Sequence, residues 1–569
     1  PIYEPYYNDT DLSLINLSAI SRVTVSKGYA SAEYGANTLG GAINLITGKV
    51  PDKTKLKINL SYGGNNSIYS DILFLKRFNK LHLTFGINYG ESDGFSLSKQ
   101  YEKQINEDGN LRENSDFNKL GTLLRVGYDP KQNLNFTFSH YYINSNKGIP
   151  FDEQAEKAES KYFWEPRYWR FSNYIKSIYS IDFKYFNEFF EVKEKVYYIK
   201  TDNTLDMFID KDFSLLAEAD TFDDYTMGQK LTFIFYSEND SEFSFGFSSK
   251  KDFHKKIADS KYYDEIEYDE ISQDIFTFFA ETRTYYFNKK LYIQLGMNYD
   301  SLNSGNYKVY EEGDTDIQAV DGRKIYSYNP NLMMTIKLRE NFYSGFSIQK
   351  KTHYPTMSQM ANNLDLGLDI SEILPEQAVN KEVFMKLNLD KLDMKISLYD
   401  YNITNLIERA GKGFPFFNLQ SAQINGAELM FKFKPNPKFN MGIGYSYIDS
   451  KSTTTPGNPG DYIRELPYVP RSSIIANLKF IYFLETDLNI RYQEKAFEYF
   501  NIADWGDPDE WVKEEITAFT LIDLKLQKEF FNKYKGYIII KNILDVNYYQ
   551  QSYYPAPGLS WQLGMSFEF

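Results

Sequence analysis

The 569-residue chain has no cysteine, only four histidines and no run of about 18 or more apolar residues. The absence of cysteine excludes disulfides, thiolate metal sites and a cysteine nucleophile. None of the histidines has the spacing of a metal-binding motif. Because the chain has no such apolar run, a transmembrane helix is not expected, although a membrane-spanning strand needs only about 10 alternating residues. The net charge of −14 argues against a nucleic-acid partner, whose phosphates require a basic surface.

Aromatic residues, in contrast, are abundant. They make up 17% of the chain, with 49 Tyr and 45 Phe, yet the mean hydropathy is −0.51. In a soluble protein, so many rings would be buried in cores that read as apolar runs. Here the rings alternate with polar residues along most of the chain. A sheet with lipid on one face and water on the other requires this mixture.

Segments of about 10 residues alternate between apolar and polar positions, most clearly at the C-terminus. Trp561, Leu563 and Met565 fall on one face of a strand, whereas Gln562 and Gly564 fall on the other. Soluble β-sandwiches and propellers also alternate. However, the apolar positions here are often aromatic near strand ends, which is typical of the aromatic girdles of a membrane barrel.

Short turns alternate with longer polar connectors along the chain. Short turns are predicted near Phe78–Lys80 and Arg339–Asn341, and longer connectors include 201–223, 254–270 and 351–378. Long loops on one side and short turns on the other are typical of outer-membrane barrels. We predict an all-β fold, a transmembrane antiparallel β-barrel of about 22 strands, in which each strand and its connector take about 23 residues.

A barrel of about 22 strands has a lumen too wide for its own side chains to fill, so it needs a plug. We predict the C-terminal part of a plug domain at residues 1–52 and the barrel at 53–569. Within the plug, Ile20–Val25 and Ala42–Thr47 are predicted to be short strands that flank the glycine-rich stretch Gly28–Gly41.

Residues 20–49 read ISRVTVSKGYASAEYGANTLGGAINLITGK. This order resembles the end of the plug in the TonB-dependent outer-membrane receptor family, which carries Arg-Gly, Tyr-Gly and Gly-Gly-Val-Ile-Asn motifs. Tyr29 replaces the family's usual Pro. Glycines allow positive φ and close backbone approach, which suits a domain packed inside a lumen. The matching motif residues are Lys27, Gly28, Tyr34, Gly35, Gly40, Gly41 and Asn44.

The predicted barrel carries further similarities to this family. Leu559 departs from the Arg that the family usually has after its C-terminal Pro-Gly. The matching stretches are 354–357 with 374–376 and Glu382, 417–418 with 425–429, 466–471, and 541–549 with Pro557-Gly558 and the terminal Phe569.

The resemblance implies a monomeric receptor in the bacterial outer membrane that imports a scarce nutrient. Family members begin with a signal peptide, a TonB box and the first half of the plug. We therefore expect roughly the first hundred residues of such a protein to be missing here. The inner-membrane energy-coupling partner, a TonB-type protein, is expected to bind through that segment by strand addition.

We expect the ligand to be a ferric siderophore, the commonest ligand class of the family, and we expect no cofactor. Cobalamin or another metal chelate is the alternative within the same class. A passive porin-like channel and an adhesin without transport are the rivals from other classes. An enzyme is not predicted, because no catalytic constellation is present.

Aromatic rings on the long connectors are the candidate ligand contacts, because they offer a large contact area with a polar tip. The alternative for them is a girdle at the outer lipid boundary. An oxygen-rich turn also provides candidate Ca²⁺ ligands, although it lacks the spacing of an EF-hand and a solvated loop is the alternative. The candidate contacts are Trp164, Tyr168, Trp169, His353, Trp505 and Trp511, and the candidate metal ligands are Asp504, Asp507 and Asp509.

Overall fold

The computed structural model describes most of the chain, and nearly all of its elements are β-strands. The described residues are 2–15, 17–153, 167–238, 240–261, 265–305, 307–311, 318–320, 322–368, 373–409, 415–453, 463–501, 511–531 and 533–569.

The first 50 residues form a small unit that is separate from the large sheet. Strands β1 (Ile20–Lys27) and β2 (Gly41–Thr47) pair antiparallel, from Lys27 opposite Gly41 to Ile20 opposite Thr47. Short 3-10 turns lie at Leu12–Leu14 and Ala32–Tyr34.

Most of the remaining described residues form a closed barrel of 22 antiparallel strands, which confirms the predicted fold class. Closure is made by the pairing of the last barrel strand with the first, where Lys57 lies opposite Glu568. The barrel strands are β3 (Lys55–Gly63), β4 (Ile68–Phe78), β5 (Leu81–Ser92), β6 (Phe117–Lys131), β7 (Leu134–Ile149), β8 (Tyr168–Phe186), β9 (Phe190–Phe208), β10 (Leu216–Tyr236), β11 (Glu242–Ser260), β12 (Glu265–Tyr286), β13 (Leu291–Ser304), β16 (Lys324–Arg339), β17 (Phe342–His353), β18 (Glu376–Leu389), β19 (Leu392–Arg409), β20 (Phe416–Asn436), β21 (Phe439–Thr453), β23 (Ser472–Ile481), β24 (Glu485–Gln493), β27 (Phe519–Phe530), β28 (Tyr534–Lys541) and β31 (Ser560–Glu568).

Smaller elements decorate the long-loop end of the barrel. The N-cap of the helix α1 (Met357–Asp365) is Thr356, whose side chain accepts a hydrogen bond from the Gln359 amide in a capping box. The short strands are β14 (Tyr307–Glu311), β15 (Gln318–Val320), β22 (Ile463–Arg464), β25 (Ala496–Asn501), β26 (Trp511–Ile516), β29 (Tyr549–Gln551) and β30 (Tyr554–Pro555).

The short turns lie where the sequence predicts them. For example, β4 ends at Phe78 and β5 begins at Leu81. The connectors predicted at 201–223 and 254–270 were wrong in extent, because β9 continues to Phe208 and β11 continues to Ser260. These strands extend past the lipid-facing band, where neither face needs to be apolar. The alternation that identifies a strand in the sequence therefore disappears although the hydrogen-bonded ladder continues.

The outer surface of the barrel carries two aromatic belts. In the upper belt, rings stack around the barrel from His140 through Tyr179 at 4.4 Å to Tyr198 at 6.5 Å. The lower belt includes Phe190 and Phe235, 6.3 Å apart. Eight residues separate Tyr198 from Phe190 along β9, which corresponds to about 20 Å of height in a strand tilted by about 40°. The apolar band between the belts is therefore close in height to the roughly 25 Å that is typical of a transmembrane β-barrel.

Inside the barrel, the N-terminal unit packs against the wall through small apolar clusters, two of which contain Leu14 and Ala19. Leu14 contacts Ile143 and Tyr174, and Ala19 and Val50 pack with leucines of β4 and β6. Among the described residues, no helix has the length and apolarity needed to cross a membrane.

Candidate functional site

The glycines of the plug motif sit where the backbone requires them. Gly28 and Gly35 have φ of +65° and +68°, which disfavours other residues. A Cβ on Gly28 would clash with the Tyr401 hydroxyl of the barrel wall, whereas one on Gly41 would clash with the Ser26 carbonyl oxygen within the plug itself. Gly40 is different, because nothing lies within 4 Å of such a Cβ. The loop between β1 and β2 therefore packs closely against the barrel wall at Gly28 and Gly35.

Two buried carboxylates of the wall receive this loop. Glu281 on β12 accepts hydrogen bonds from the Ala32 amide at 2.9 Å and from the Ser31 hydroxyl at 3.1 Å. Asp300 on β13 accepts a hydrogen bond from the Ala36 amide at 3.1 Å. Both side chains are almost fully buried. The Ala32 amide starts a 3-10 turn and the Ala36 amide follows it, so neither has a partner inside the turn, and the two carboxylates provide the acceptors.

The amide side chains of two barrel residues, Gln349 and Asn331, bind the rest of the loop. Gln349 donates a hydrogen bond to the Gly28 carbonyl and accepts one from the Ala30 amide at 3.1 Å. Tyr29 donates a hydrogen bond to Asn331 at 2.9 Å. Burial and the nearby Glu281 raise the pKa of Tyr29, so it remains a neutral donor.

The charged residue Lys27 and the aromatic residue Tyr34 of the motif also contact the barrel wall. The Lys27 ammonium lies 3.3 Å from the Glu428 carboxylate, an exposed ion pair of small energetic weight. The Lys230 ammonium lies 5.7 Å above the Tyr34 ring and donates a hydrogen bond to the Glu33 carbonyl at 3.0 Å. Asn44 lies opposite Thr24 in the ladder of β1 and β2.

Residues 2–15 form a second docking segment, against barrel strands that include β8 and β11. The Tyr3 hydroxyl donates a hydrogen bond to Asp252 at 2.8 Å, and Lys176 pairs with Glu4 at 2.7 Å. Burial, together with the Asp252 carboxylate, raises the pKa of Tyr3. Burial opposes ionisation of Asp11, but the hydrogen bonds from Lys147 and Ser13 lower the pKa of that carboxyl overall. Every one of these contacts is polar, so water could form the same hydrogen bonds in its place.

The residues predicted to contact the ligand have different surroundings in the structure. Tyr168 is buried, with its ring 4.9 Å from Phe151 and 6.4 Å from Phe213. The Arg167 guanidinium lies 4.9 Å above the Trp169 ring. His353 Nδ1 lies 3.1 Å from Glu376.

Other predicted residues lie outside the described part of the chain: Trp164, Trp505, Asp504, Asp507 and Asp509. Only the backbone of Trp511 is described, and it pairs with Asn501 at the start of β26. Among the described residues, no group of three His, Asp or Glu side chains is arranged to hold a metal ion. The ligand contacts and the metal ligands inferred from the sequence remain predictions.

The wall residues that receive the plug were not identified from the sequence. Glu281, Asp300 and Gln349 lie on lumen-facing positions of otherwise aromatic strands. The alternation predicts that such residues are polar and face inward. It carries no information about a partner some 250 positions away in the chain, as for Ala32 and Glu281.

In comparisons with known proteins, the chain matches one class of membrane receptor. The sequence profile described as "TonB dependent receptor-like, beta-barrel" matches residues 29–543, and that described as "TonB-dependent Receptor Plug Domain" matches residues 1–42. We found no match among curated proteins.

Several solved structures share the fold at low sequence identity. The siderophore receptor PiuA from Acinetobacter baumannii superposes with a TM-score of 0.76 at 16% identity, covering 97% of this chain and 87% of that one. The copper transporter OprC gives 0.80 at 15% identity, covering 100% and 89%. The ferric yersiniabactin uptake receptor FyuA from Yersinia pestis gives 0.76 at 12% identity, covering 97% and 85%. At these identities the similarity concerns the fold alone.

Proposed function

Because the chain belongs to the TonB-dependent receptor family, as its plug motif predicted, we propose that it is an outer-membrane receptor for energy-coupled uptake of a ferric siderophore. The observation that carries the proposal is the plug inside the lumen, docked by a buried polar interface. The two aromatic belts, with a band about 20 Å high between them, support a place in the outer membrane.

The docked plug also supports an energy requirement. Hydrogen bonds such as those to Glu281, Asp300 and Asp252 contribute about 1 kcal/mol or more each when buried. Spontaneous displacement would have to break many of them together, whereas a pull on one end of the plug breaks them in sequence. A TonB-type inner-membrane protein supplies that pull in this proposal.

The aromatic residues of the outer loops support a flat, partly apolar ligand. Trp169 and Phe416 each lie beneath an arginine guanidinium, at 4.9 Å and 5.1 Å. Such pairs offer a ring face for stacking and a cation for an anionic ligand. A ferric chelate with aromatic or carboxylate iron ligands has both features.

The proposal is tested by uptake in cells. A strain that lacks the gene is complemented with the full-length protein, and accumulation of ⁵⁵Fe is measured for catecholate, hydroxamate and carboxylate chelates. We expect uptake of one class, lost on deletion of the gene and on addition of a protonophore. Protonophore-insensitive uptake together with steady conductance in planar bilayers would establish a passive channel instead. Uptake of labelled cobalamin but of no iron chelate would overturn the ligand assignment alone.

A further inference from the structure

The plug contacts one outer segment of the receptor at two separate points. This segment, here termed the α1 segment, comprises residues 354–368, which follow β17 and include the helix α1. One contact is at its root, where it leaves the barrel, and the other is at the first turn of the helix.

At the root, Asn37 of the plug clamps the end of β17. The Asn37 amide donates a hydrogen bond to the Thr352 carbonyl at 2.8 Å, and the Asn37 side-chain oxygen accepts one from the Tyr354 amide at 2.9 Å. Asn37 has a φ of +61°, a conformation that asparagine tolerates better than most residues. Beside it, the Lys351 ammonium donates a hydrogen bond to the Thr38 carbonyl at 2.7 Å. The plug therefore fixes the point at which the α1 segment starts.

At the helix, the backbone carbonyl of Tyr6 in the plug provides a hydrogen-bond acceptor for the first turn. The amide of Ser358 donates a hydrogen bond to the Tyr6 carbonyl at 3.0 Å. The first amides of a helix have no partner inside it, so the plug backbone supplies an acceptor that the helix itself lacks. The Tyr6 ring packs against the buried cluster that contains Met357 and Met360, and its other side stacks on His254 at 3.8 Å. Tyr6 is thus held between the barrel wall and α1.

The far end of α1 is tied to a neighbouring outer loop rather than to the plug. The Asn363 side chain donates a hydrogen bond to the Phe416 carbonyl at 2.8 Å and accepts one from the Phe416 amide at 2.7 Å. The α1 segment therefore bridges the plug and the start of β20.

We propose that Tyr6 and Asn37 are positioning residues for the α1 segment, so that the plug and this outer segment are mechanically and thermodynamically coupled. Displacement of the plug removes the clamp at the root and the acceptor at the helix start together. By linkage, a ligand that stabilises the α1 segment must also stabilise the docked plug, and the reverse must hold equally. The transport consequence rests on the proposed function, whereas the coupling itself does not.

Hydrogen exchange of the full-length protein in detergent tests the coupling without any ligand. In Asn37→Gly, which accepts the positive φ but removes the side chain, and in Tyr6→Ala, we expect amides of residues 354–368 to exchange about five to ten times faster. The matched control is Tyr343→Phe, which removes a hydrogen bond to the Glu340 carbonyl at a short turn, not a plug–wall contact, and should leave these amides unchanged. In the reverse direction, Met360→Ala should accelerate exchange at residues 2–14.

Equal exchange of residues 354–368 in Asn37→Gly, Tyr6→Ala and the control would overturn the proposal. So would Met360→Ala without any effect on residues 2–14. Tyr6→Phe keeps the ring and the carbonyl and loses only the hydroxyl that meets the Ser358 side chain, so its exchange should lie between that of the unchanged protein and that of Tyr6→Ala; this guards against misfolding of the alanine variant. Failure of ⁵⁵Fe uptake by the unchanged protein would contradict the proposed function but would leave this result standing.

Discussion

Replacement of Glu281 by alanine is expected to undock the plug loop without unfolding the barrel. The carboxylate accepts hydrogen bonds from the Ala32 amide at 2.9 Å and the Ser31 hydroxyl at 3.1 Å, and it is buried. Hydrogen bonds to a charged group are worth about 1.5–3 kcal/mol each. Their loss leaves a buried amide without an acceptor, so the docked loop should be destabilised by about 3–5 kcal/mol.

The barrel itself should tolerate the change. Arg283, which also pairs with Glu281, keeps its 2.5 Å ion pair with Glu242, and the backbone ladder of β12 is unaffected. Glu281→Gln retains an acceptor oxygen but loses the charge, so it should cost about half as much. Glu340, an exposed carboxylate at a short turn, provides the matched control, because Glu340→Ala removes only an exposed pair of small weight.

Hydrogen exchange by mass spectrometry measures the effect at peptides covering residues 28–39. We expect exchange about 150- to 5,000-fold faster in Glu281→Ala, an intermediate rate in Glu281→Gln and no change in Glu340→Ala, with the far-ultraviolet circular dichroism of the barrel unchanged. An unchanged rate for residues 28–39 in a folded Glu281→Ala protein would refute the idea that this carboxylate holds the plug.

Three further predictions follow from particular contacts. Gly28→Ala should destabilise the docked plug by about 2 kcal/mol, because φ is positive and a Cβ has no room, whereas Gly40→Ala should be neutral in the same exchange assay. The pKa of Asp11 is lowered below its ordinary 3.8, so the stability that the carboxylate contributes is present above pH 3.8 and is lost as the pH falls below it. The melting difference between the unchanged protein and Asp11→Asn should therefore vanish only below that pH, and no difference at pH 7 would contradict the contact. Arg112→Met removes one partner of a fully buried ion pair with Glu107, so protease cleavage between residues 93 and 116 should increase markedly, and equal resistance would count against it.

The barrel could be predicted because its evidence is local. Alternation at Trp561, Leu563 and Met565 reports which face meets lipid, and all three are indeed exposed on the outside of β31. Turn positions such as that after Phe78 follow from short polar interruptions of the pattern. The extent of β9 and β11 was missed because beyond the lipid band both faces of a strand meet water, and the chemical signal ends before the strand does.

The candidate site was predicted only in part. Motif glycines such as Gly28 were identified because backbone conformation restricts the residue at its own position. Tyr168 was predicted as a ligand contact from its place in a long aromatic connector, and the structure buries its ring against Phe151 and Phe213. A connector's composition shows that rings are available, but it does not show which of them the neighbouring loops will cover.

By itself, the sequence determined that the chain is a lipid-facing β-barrel with a plug of a known family, because the period of two along a strand and the conformational demands of glycine act over a few residues. Only the tertiary structure decided that Glu281 and Asp300 receive the plug loop and that Tyr6 meets Ser358. Those pairs lie hundreds of residues apart in the chain. Closure of the sheet and the shear of its strands bring them together, and no local pattern encodes that register.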